Sequence, residues 1–249
     1  MHRIAVLRHS LHEKRLNTLA DSFSLSLRLI VDLDPKLAAI IGLSLRMSVG
    51  STLISALVGL PIGALVAIAE FPARGVVVAV LNAMMGLPPV VVGLLVYLLL
   101  SRAGPLGSFG LLFTPGAMVI AQSVLITPLV AALSRQVVED GWHELHEQLR
   151  SLRARLARRI GTLLWDTRYA LATVVLAGFG RAASEVGAVI IVGGNIDGVT
   201  RVMTTAIALE TSKGDLPLAL ALGEVLIALV LAINLAAYAL REWAKVRFG

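Results

Sequence analysis

The sequence has no cysteine among its 249 residues. Disulfide bonds, thiol catalysis and cysteine-bound metals are therefore excluded. Charge is also scarce, because only 15% of the residues are charged, whereas a soluble domain carries about 25%. Instead, 57% of the residues are hydrophobic and the mean hydropathy is +0.85. Several uncharged windows are long enough to cross a bilayer, so the composition predicts an all-α polytopic membrane protein.

The sequence also lacks the short motifs of several enzyme classes. It contains no G-x-x-x-x-G-K-[ST] phosphate loop, no H-E-x-x-H and no nucleophile elbow. His143 and His146 lie three residues apart and are interpreted as solvated surface, so no metal site is expected. Residues 1–20 have no long apolar core before a cleavage site, which predicts no signal peptide. The net charge of +6 is modest and lies beside apolar runs, so no nucleic acid is expected.

Long apolar runs predict five transmembrane spans. Segment 21–35, which comes before the first span, is too charged to cross the bilayer and is interpreted as an interfacial helix. The second span is interrupted by Gly86, Pro88 and Pro89, and proline removes a backbone donor and kinks a helix. This break is either a packing kink or backbone that lines a pore. The five predicted spans are 47–69 (or from about 37), 76–100, 116–133 (or from 111), 169–192 and 216–240.

The positions of the basic residues predict the orientation of the chain. Arginines crowd the segment 134–168, and the tail 241–249 adds further cations. We therefore expect both segments in the cytoplasm, with 101–115 and 193–215 on the opposite side. With five spans the N-terminus would lie outside the cell, whereas its own basic residues favour the cytoplasmic side. A partial or re-entrant segment within 21–46 would resolve this conflict.

The longest polar stretch between spans, 142–167, has helical periodicity. Its apolar residues recur at spacings of three and four and form one stripe, which predicts an amphipathic helix. Five arginines lie around the stripe. The helix either rests on anionic lipid headgroups or presents an apolar ridge to a groove on a partner protein. The stripe consists of Leu145, Leu149, Leu152, Leu156, Ile160 and Leu163 or Leu164.

This stretch resembles the coupling segment of binding-protein-dependent ABC transporter permeases, whose signature is E-A-A-x3-G followed nine residues later by I-x-L-P. Glu147 occupies the Glu position and Leu149 the second Ala, while Arg153 replaces the Gly. The run 163–166, Leu-Leu-Trp-Asp, replaces I-x-L-P. Other segments are similar to the tungstate permeases of the molybdate/tungstate group, namely 60–72, 85–107, 111–122 and 178–215.

The resemblance covers residues 37–240 and implies a type I ABC importer bundle of about five core helices. Such permeases are homodimers in the cytoplasmic (inner) membrane of a prokaryote. Two ATPase subunits bind them, and an extracytoplasmic binding protein delivers the oxyanion, here tungstate with molybdate next. The permease binds no cofactor, because ATP and Mg are used by the ATPase. The implied ATPase-coupling residues are Glu147, Gln148, Leu149, Arg150, Ser151, Leu152 and Arg153.

The domain organisation follows from these assignments. Residues 1–36 form a polar segment with the interfacial helix, 37–241 form the permease domain, and 242–249 form a short basic tail. The coupling helix lies near 142–167. The alternative function is a self-sufficient secondary transporter or channel for anions. Such proteins often contain matching broken helices, whereas only one broken span is evident in the sequence.

Candidate path and contact residues complete the predictions. Arg181 and Glu185 lie four apart within an apolar span, where an ion pair would neutralise both. They either form that pair, which we favour, or line the translocation path with Gly86, Pro88 and Pro89. Hydroxyl and cationic side chains beyond this span suit an oxyanion or, as we favour, contact with the binding protein. These residues are Thr200, Arg201, Thr204 and Thr205.

Overall fold

A computed structural model describes residues 35–152 and 155–248, together with 24, 28 and 31; the side chains of Arg150, Ala237 and 240–248 lie outside that description. Within these ranges the chain forms nine α-helices and one short 3-10 turn, Gly107–Phe109. The helices are α1 (Pro35–Ile68), α2 (Arg74–Met85), α3 (Pro89–Leu100), α4 (Pro115–Ser151), α5 (Leu156–Asp166), α6 (Arg168–Ala183), α7 (Gly187–Gly193), α8 (Met203–Lys213) and α9 (Leu216–Phe248).

The membrane-crossing helices fit the predicted spans. Helices α1, α4 and α9 are each long and apolar enough to cross a bilayer. Helices α2 and α3 form a pair bent by 99°, and α6 and α7 form a pair bent by 57°. If each bent pair is one span, the described chain has five, and the all-α polytopic fold class is confirmed. The interfacial helix predicted over 21–35 lies almost wholly outside the described residues.

Helices α1 and α4 pack against each other more extensively than any other pair of described helices. They run in the same direction, because successive positions along α1 meet successive positions along α4. A Cβ atom on Gly59 would lie 2.9 Å from a methyl group of Val130, and one on Gly63 would lie 2.4 Å from the carbonyl oxygen of Ala131. Any side chain larger than hydrogen at these two positions would separate the helices. Glycine therefore permits the contact.

A buried polar seam follows the same contact. Ser51 donates to the side-chain oxygen of Gln122 at 3.1 Å, and the amide of Gln122 donates to the carbonyl of Ala182 at 3.1 Å. Ser134 donates to the carbonyl of Gly59 at 3.3 Å. In a bilayer such groups have no water to bond, so they bond to neighbouring helices. The seam thus ties α1, α4 and the end of α6 together.

Two apolar clusters lie at opposite ends of α1. At its first turn, Leu37 is buried with Met203 of α8 and Leu222 of α9. At its last turn, Ile68 is buried with Leu149 of α4 and Leu163 of α5. The first cluster anchors the segments after the second bent pair, and the other anchors the polar segment that the sequence assigned to coupling.

Candidate translocation path and docking surface

The predicted break in the second span is present. Helix α2 ends at Met85 and is capped by Gly86, and α3 begins at Pro89 after Pro88 in an extended conformation. Proline has no backbone N–H, so Pro89 leaves no donor unsatisfied at the first position of α3. Gly86 and Pro88 are exposed on the surface of the single chain, and Pro89 is half-buried.

A second break, not predicted, lies in the fourth span. The sequence was interpreted as one helix over 169–192, whereas the structure has α6 and α7 separated by Ser184–Val186. No proline marks this break, which is why the hydropathy pattern missed it. The only local signal is the sequence Glu185-Val186-Gly187, which places a charge and a glycine within an apolar run. The expectation that the first broken span has no counterpart is therefore corrected.

The two breaks meet in space. A Cβ atom on Gly187 would lie 2.9 Å from a methyl group of Val90, one residue beyond the proline pair. One turn further, a Cβ on Gly93 would lie 2.7 Å from the α-carbon of Ala188. Glycine on each helix thus lets α3 and α7 approach at backbone distance. The sequence named Gly86, Pro88, Pro89, Arg181 and Glu185 as path residues, and the structure brings their two segments together.

Glu185 holds the second bend. Its side chain accepts a hydrogen bond from the backbone N–H of Ala188 at 3.0 Å, which satisfies a free donor in the first turn of α7. Its main-chain carbonyl accepts a bond from the hydroxyl of Thr204 at 2.8 Å. The predicted pair with Arg181 is also present, with 3.5 Å between the nearest nitrogen and oxygen. Glu185 is only 4% exposed, so these contacts give it a structural role that fits the favoured interpretation.

The threonines beyond the bend are part of the core. The sequence placed Thr200, Thr204 and Thr205 on an external loop as binding-protein contacts, but all three are buried. Thr200 donates to the carbonyl of Gly193 at 2.6 Å, and the hydroxyl of Thr205 accepts the N–H of Val202, which precedes α8. These hydroxyls satisfy backbone groups where the chain turns into a helix. Contact with a binding protein through these three side chains does not fit their burial.

Arg201 is the fourth residue of that predicted contact set. It is partly buried and forms a 2.9 Å ion pair with Asp197 on the same loop. Its side chain lines a pocket instead of projecting outward from the protein.

The polar segment 142–167 folds as two helices, which corrects the single continuous helix predicted there. Helix α4 runs on to Ser151, and α5 begins at Leu156. A straight helix of this length would extend about 39 Å and carry its second half away from the bundle. The break instead returns the chain, so that Leu149 and Leu163 share one buried cluster.

The break also changes which coupling residues a partner could touch. Leu149 is 7% exposed and belongs to the core, which does not fit direct contact with an ATPase. Leu152 is 75% exposed, and Leu156 and Trp165 are also exposed. The docking surface is defined here by the exposed polar residues of the predicted set, Glu147, Gln148 and Ser151, with these three apolar residues. Arg153 lies outside the described residues, as does the side chain of Arg150.

An arginine outside the predicted site residues also contributes to this end of the bundle. Arg74, at the start of α2, donates to the carbonyls of Val66 and Ala67 at 2.9 and 3.0 Å. These are among the last carbonyls of α1, which have no helical partner. Arg74 also pairs with Glu139 of α4 at 2.6 Å, and Arg135 pairs with the same carboxylate. The cluster links α1, α2 and the part of α4 that leads to the docking surface.

Comparison with known proteins identifies the class. No family model matches the chain. It is 42% identical over 224 residues to the tungstate uptake system permease protein TupB of Peptoclostridium acidaminophilum, covering 90% of this chain and 98% of that protein. It is 40% identical to a probable anion ABC transporter permease protein of Haloferax volcanii, covering 86% and 94%. The chain belongs to the permease subunits of anion ABC transporters.

Other relatives agree with this membership. The permease is 37% identical over 173 residues to the protein named TupB in Campylobacter jejuni, covering 70% of this chain and 72% of that protein. Proteins named molybdenum and sulfate transport system permeases match at 28–32% identity. The protein is therefore a multi-pass subunit of the cytoplasmic membrane that works in an ABC transporter with an ATPase and a substrate-binding partner. ATP hydrolysis belongs to that separate ATPase.

Proposed function

We propose that this permease imports tungstate, with molybdate as its second substrate. The observation that carries the proposal is the near-complete coverage of a tungstate uptake permease at 42% identity. Relatives named for molybdenum match at 31% identity over 73% of the chain. Tungstate and molybdate are both tetrahedral dianions of nearly equal size, so a path that admits one admits the other. Discrimination between them belongs mainly to the binding protein.

We place the path at the two adjoining breaks. Backbone that leaves a helix inside a membrane needs protein or water as a partner, and the segments around Pro88 and Glu185 leave their helices at the same depth. Gly86 and Pro88 are exposed in the single chain. No residue of α2 is fully buried, and α3 exposes an apolar face that includes Val91, Leu94 and Leu98. A second copy of the permease covers this face and completes the path as a homodimer.

The remaining assignments follow the two ends of the bundle. Two ATPase subunits, one per permease, dock against the exposed residues around Glu147 and Leu152, and they alone use ATP and Mg. The permease itself binds no cofactor. The binding protein approaches the opposite end, where the loops 101–114 and 194–202 lie.

The experiment is uptake of radiolabelled tungstate by cells that lack their own oxyanion importers. The permease is expressed with its ATPase and binding protein, and the matched control carries an ATPase whose phosphate-loop lysine is replaced. We expect saturable uptake only with the intact ATPase, with unlabelled tungstate competing best, molybdate next and sulfate least. Preference for sulfate would contradict the substrate assignment.

One observation favours a second candidate, a self-sufficient anion transporter. The two bent spans that pack at their breaks are a feature that such transporters also have. The same experiment separates the two functions. Uptake that persists with the inactive ATPase, or with no ATPase at all, would support the self-sufficient transporter and reject the importer.

A further inference from the structure

A cationic pocket lies at the end of the bundle opposite the docking surface. It has a volume of about 370 Å³ and opens between the first three turns of α1 and the loop that precedes α8. Three of its lining side chains are cationic and one is acidic. The four are Lys36, Arg46, Arg201 and Asp197. The pocket shares no lining residue with the two breaks that we assign to the path.

The depth of Arg46 places it near the membrane boundary. About 20 helical residues span the hydrocarbon core of a bilayer. Counting back 20 residues from Ile68, the last residue of α1, reaches Val49. With Ile68 at one surface of the hydrocarbon core, Arg46 lies about one turn beyond the other surface, at the level of lipid headgroups. It is exposed, and among the residues that the structure describes it forms no ion pair. At that level its guanidinium is open to water, to lipid phosphate and to dissolved anions.

Arg201 approaches the same pocket from a fixed loop. The backbone N–H groups of Val199, Thr200 and Arg201 all donate to the carbonyl of Ile196, at 3.0–3.2 Å. This arrangement holds the base of the arginine in place, and the pair with Asp197 holds its outer nitrogen. Its inner nitrogen, Nε, is buried and has no acceptor within the described part of the chain. Arg201 therefore lines the pocket with a guanidinium group that the described chain leaves partly unsatisfied.

We propose that this pocket binds a tetrahedral oxyanion group through Arg46 and Arg201. Guanidinium groups donate in pairs to phosphate-like oxygens, and here one guanidinium is exposed and the other is fixed by its loop. The group is either a free inorganic oxyanion or the phosphate of an anionic lipid. Both sources present negatively charged oxygen acceptors in a tetrahedral arrangement, and the site does not require ATP or the partner subunits.

The experiment uses the full-length permease in nanodiscs. In discs of phosphatidylcholine alone, sodium tungstate is titrated and binding is followed by calorimetry. In discs of phosphatidylcholine mixed with phosphatidylglycerol, retained lipid is measured by native mass spectrometry. The test variant is Arg46→Gln, which changes an exposed side chain. The matched control is Arg102→Gln, because Arg102 is exposed at the same end but does not line the pocket.

The two arms distinguish the sources. Binding of tungstate in pure phosphatidylcholine that weakens about tenfold in Arg46→Gln, but not in Arg102→Gln, assigns a free oxyanion. Selective retention of phosphatidylglycerol that Arg46→Gln loses and Arg102→Gln keeps assigns the lipid. The proposal is overturned if the native protein takes up neither probe, if Arg46→Gln equals it in both arms, or if the control variant loses as much as the test variant.

Discussion

The helix pair α1–α4 is closely packed through glycines, whereas the helix pair α2–α3 is largely exposed. Gly59 and Gly63 bring α1 against α4 so closely that a buried polar seam fits between them. In α2 no residue is fully buried, and the Cβ position of Gly86 at its end meets only the carbonyl of Ala83, at 3.5 Å. The first pair is a fixed frame, whereas the second is bent, exposed and in contact with the other bent span. The difference separates the part that holds the transporter together from the part that we propose lines its path.

The frame also extends to one end of the molecule. Helix α4 continues without interruption from Pro115 to Ser151, so the same helix that packs against α1 carries the polar residues of the docking surface, Glu147, Gln148 and Ser151. Arg74 and Glu139 fasten the start of α2 to this helix. Helix α4 and this ion-pair cluster therefore connect the docking surface to the start of the bent pair.

The largest effect is expected at the frame. In Gly63→Leu the first added carbon would lie 2.0 Å from the hydroxyl of Ser134 and 2.4 Å from the carbonyl of Ala131, and the backbone cannot yield without separating the helices. Overpacking of this kind costs about 1–3 kcal/mol or more. We expect loss of monodisperse protein by gel filtration in detergent. Gly42→Leu is the control, since nothing lies within 4 Å of its Cβ position. Equal recovery of monodisperse protein for the two variants would contradict the close packing of α1 against α4 at Gly63.

The second effect concerns the docking surface at the end of the frame. Because Leu149 is buried, the variant that tests docking is Glu147→Ala with Leu152→Asp, both at exposed positions. Burying a leucine contributes about 1.5–3 kcal/mol, so its loss should lower ATPase recovery by about tenfold or more. The control, Arg155→Gln with Arg158→Gln, also changes exposed residues. The measurement is ATPase co-purified per permease. Loss in the arginine variant alone would favour attachment to lipid headgroups instead.

The third effect is confined to the bent pair. Only the carbonyl of Ala83, at 3.5 Å, lies near the Cβ position of Gly86, so Gly86→Leu should insert and fold. Its larger side chain would project from the break into the path. We expect tungstate uptake to fall severalfold while ATPase recovery stays unchanged. Gly75→Leu, at the exposed start of α2, is the control. Normal uptake by Gly86→Leu would remove this break from the path.

The sequence was sufficient for some features because their causes are local. Long apolar runs predicted the five spans, the proline pair predicted the first break, and the spacing of Arg181 and Glu185 predicted their contact. Each follows from neighbours along one helix.

Other features depend on contacts between distant parts of the chain, and the sequence missed them. The second bend is held by Thr204, nineteen residues beyond Glu185, and it carries no proline. The leucine stripe indicated which residues share a face, but periodicity does not say what covers that face. The frame covers Leu149 and leaves Leu152 outside. The threonines are interpreted from the sequence as external contacts because hydroxyls suit an oxyanion or a binding protein, whereas in the structure they satisfy buried backbone groups.

The smallest effect is expected from two cysteine substitutions that test on which side of the membrane each helix pair ends. Helix α3 leads to Leu106 and α4 leads to Arg155, so the bent pair and the frame deliver the chain to opposite faces of the membrane. The chain has no cysteine, and both residues are exposed, so Leu106→Cys and Arg155→Cys should leave folding and uptake unchanged. A membrane-impermeant thiol reagent added to intact spheroplasts should label position 106 alone. After lysis it should label both, which shows that position 155 is reactive. Labelling of 155 in intact spheroplasts would reverse the orientation and place the docking surface outside the cell, where no ATP is available to an ATPase.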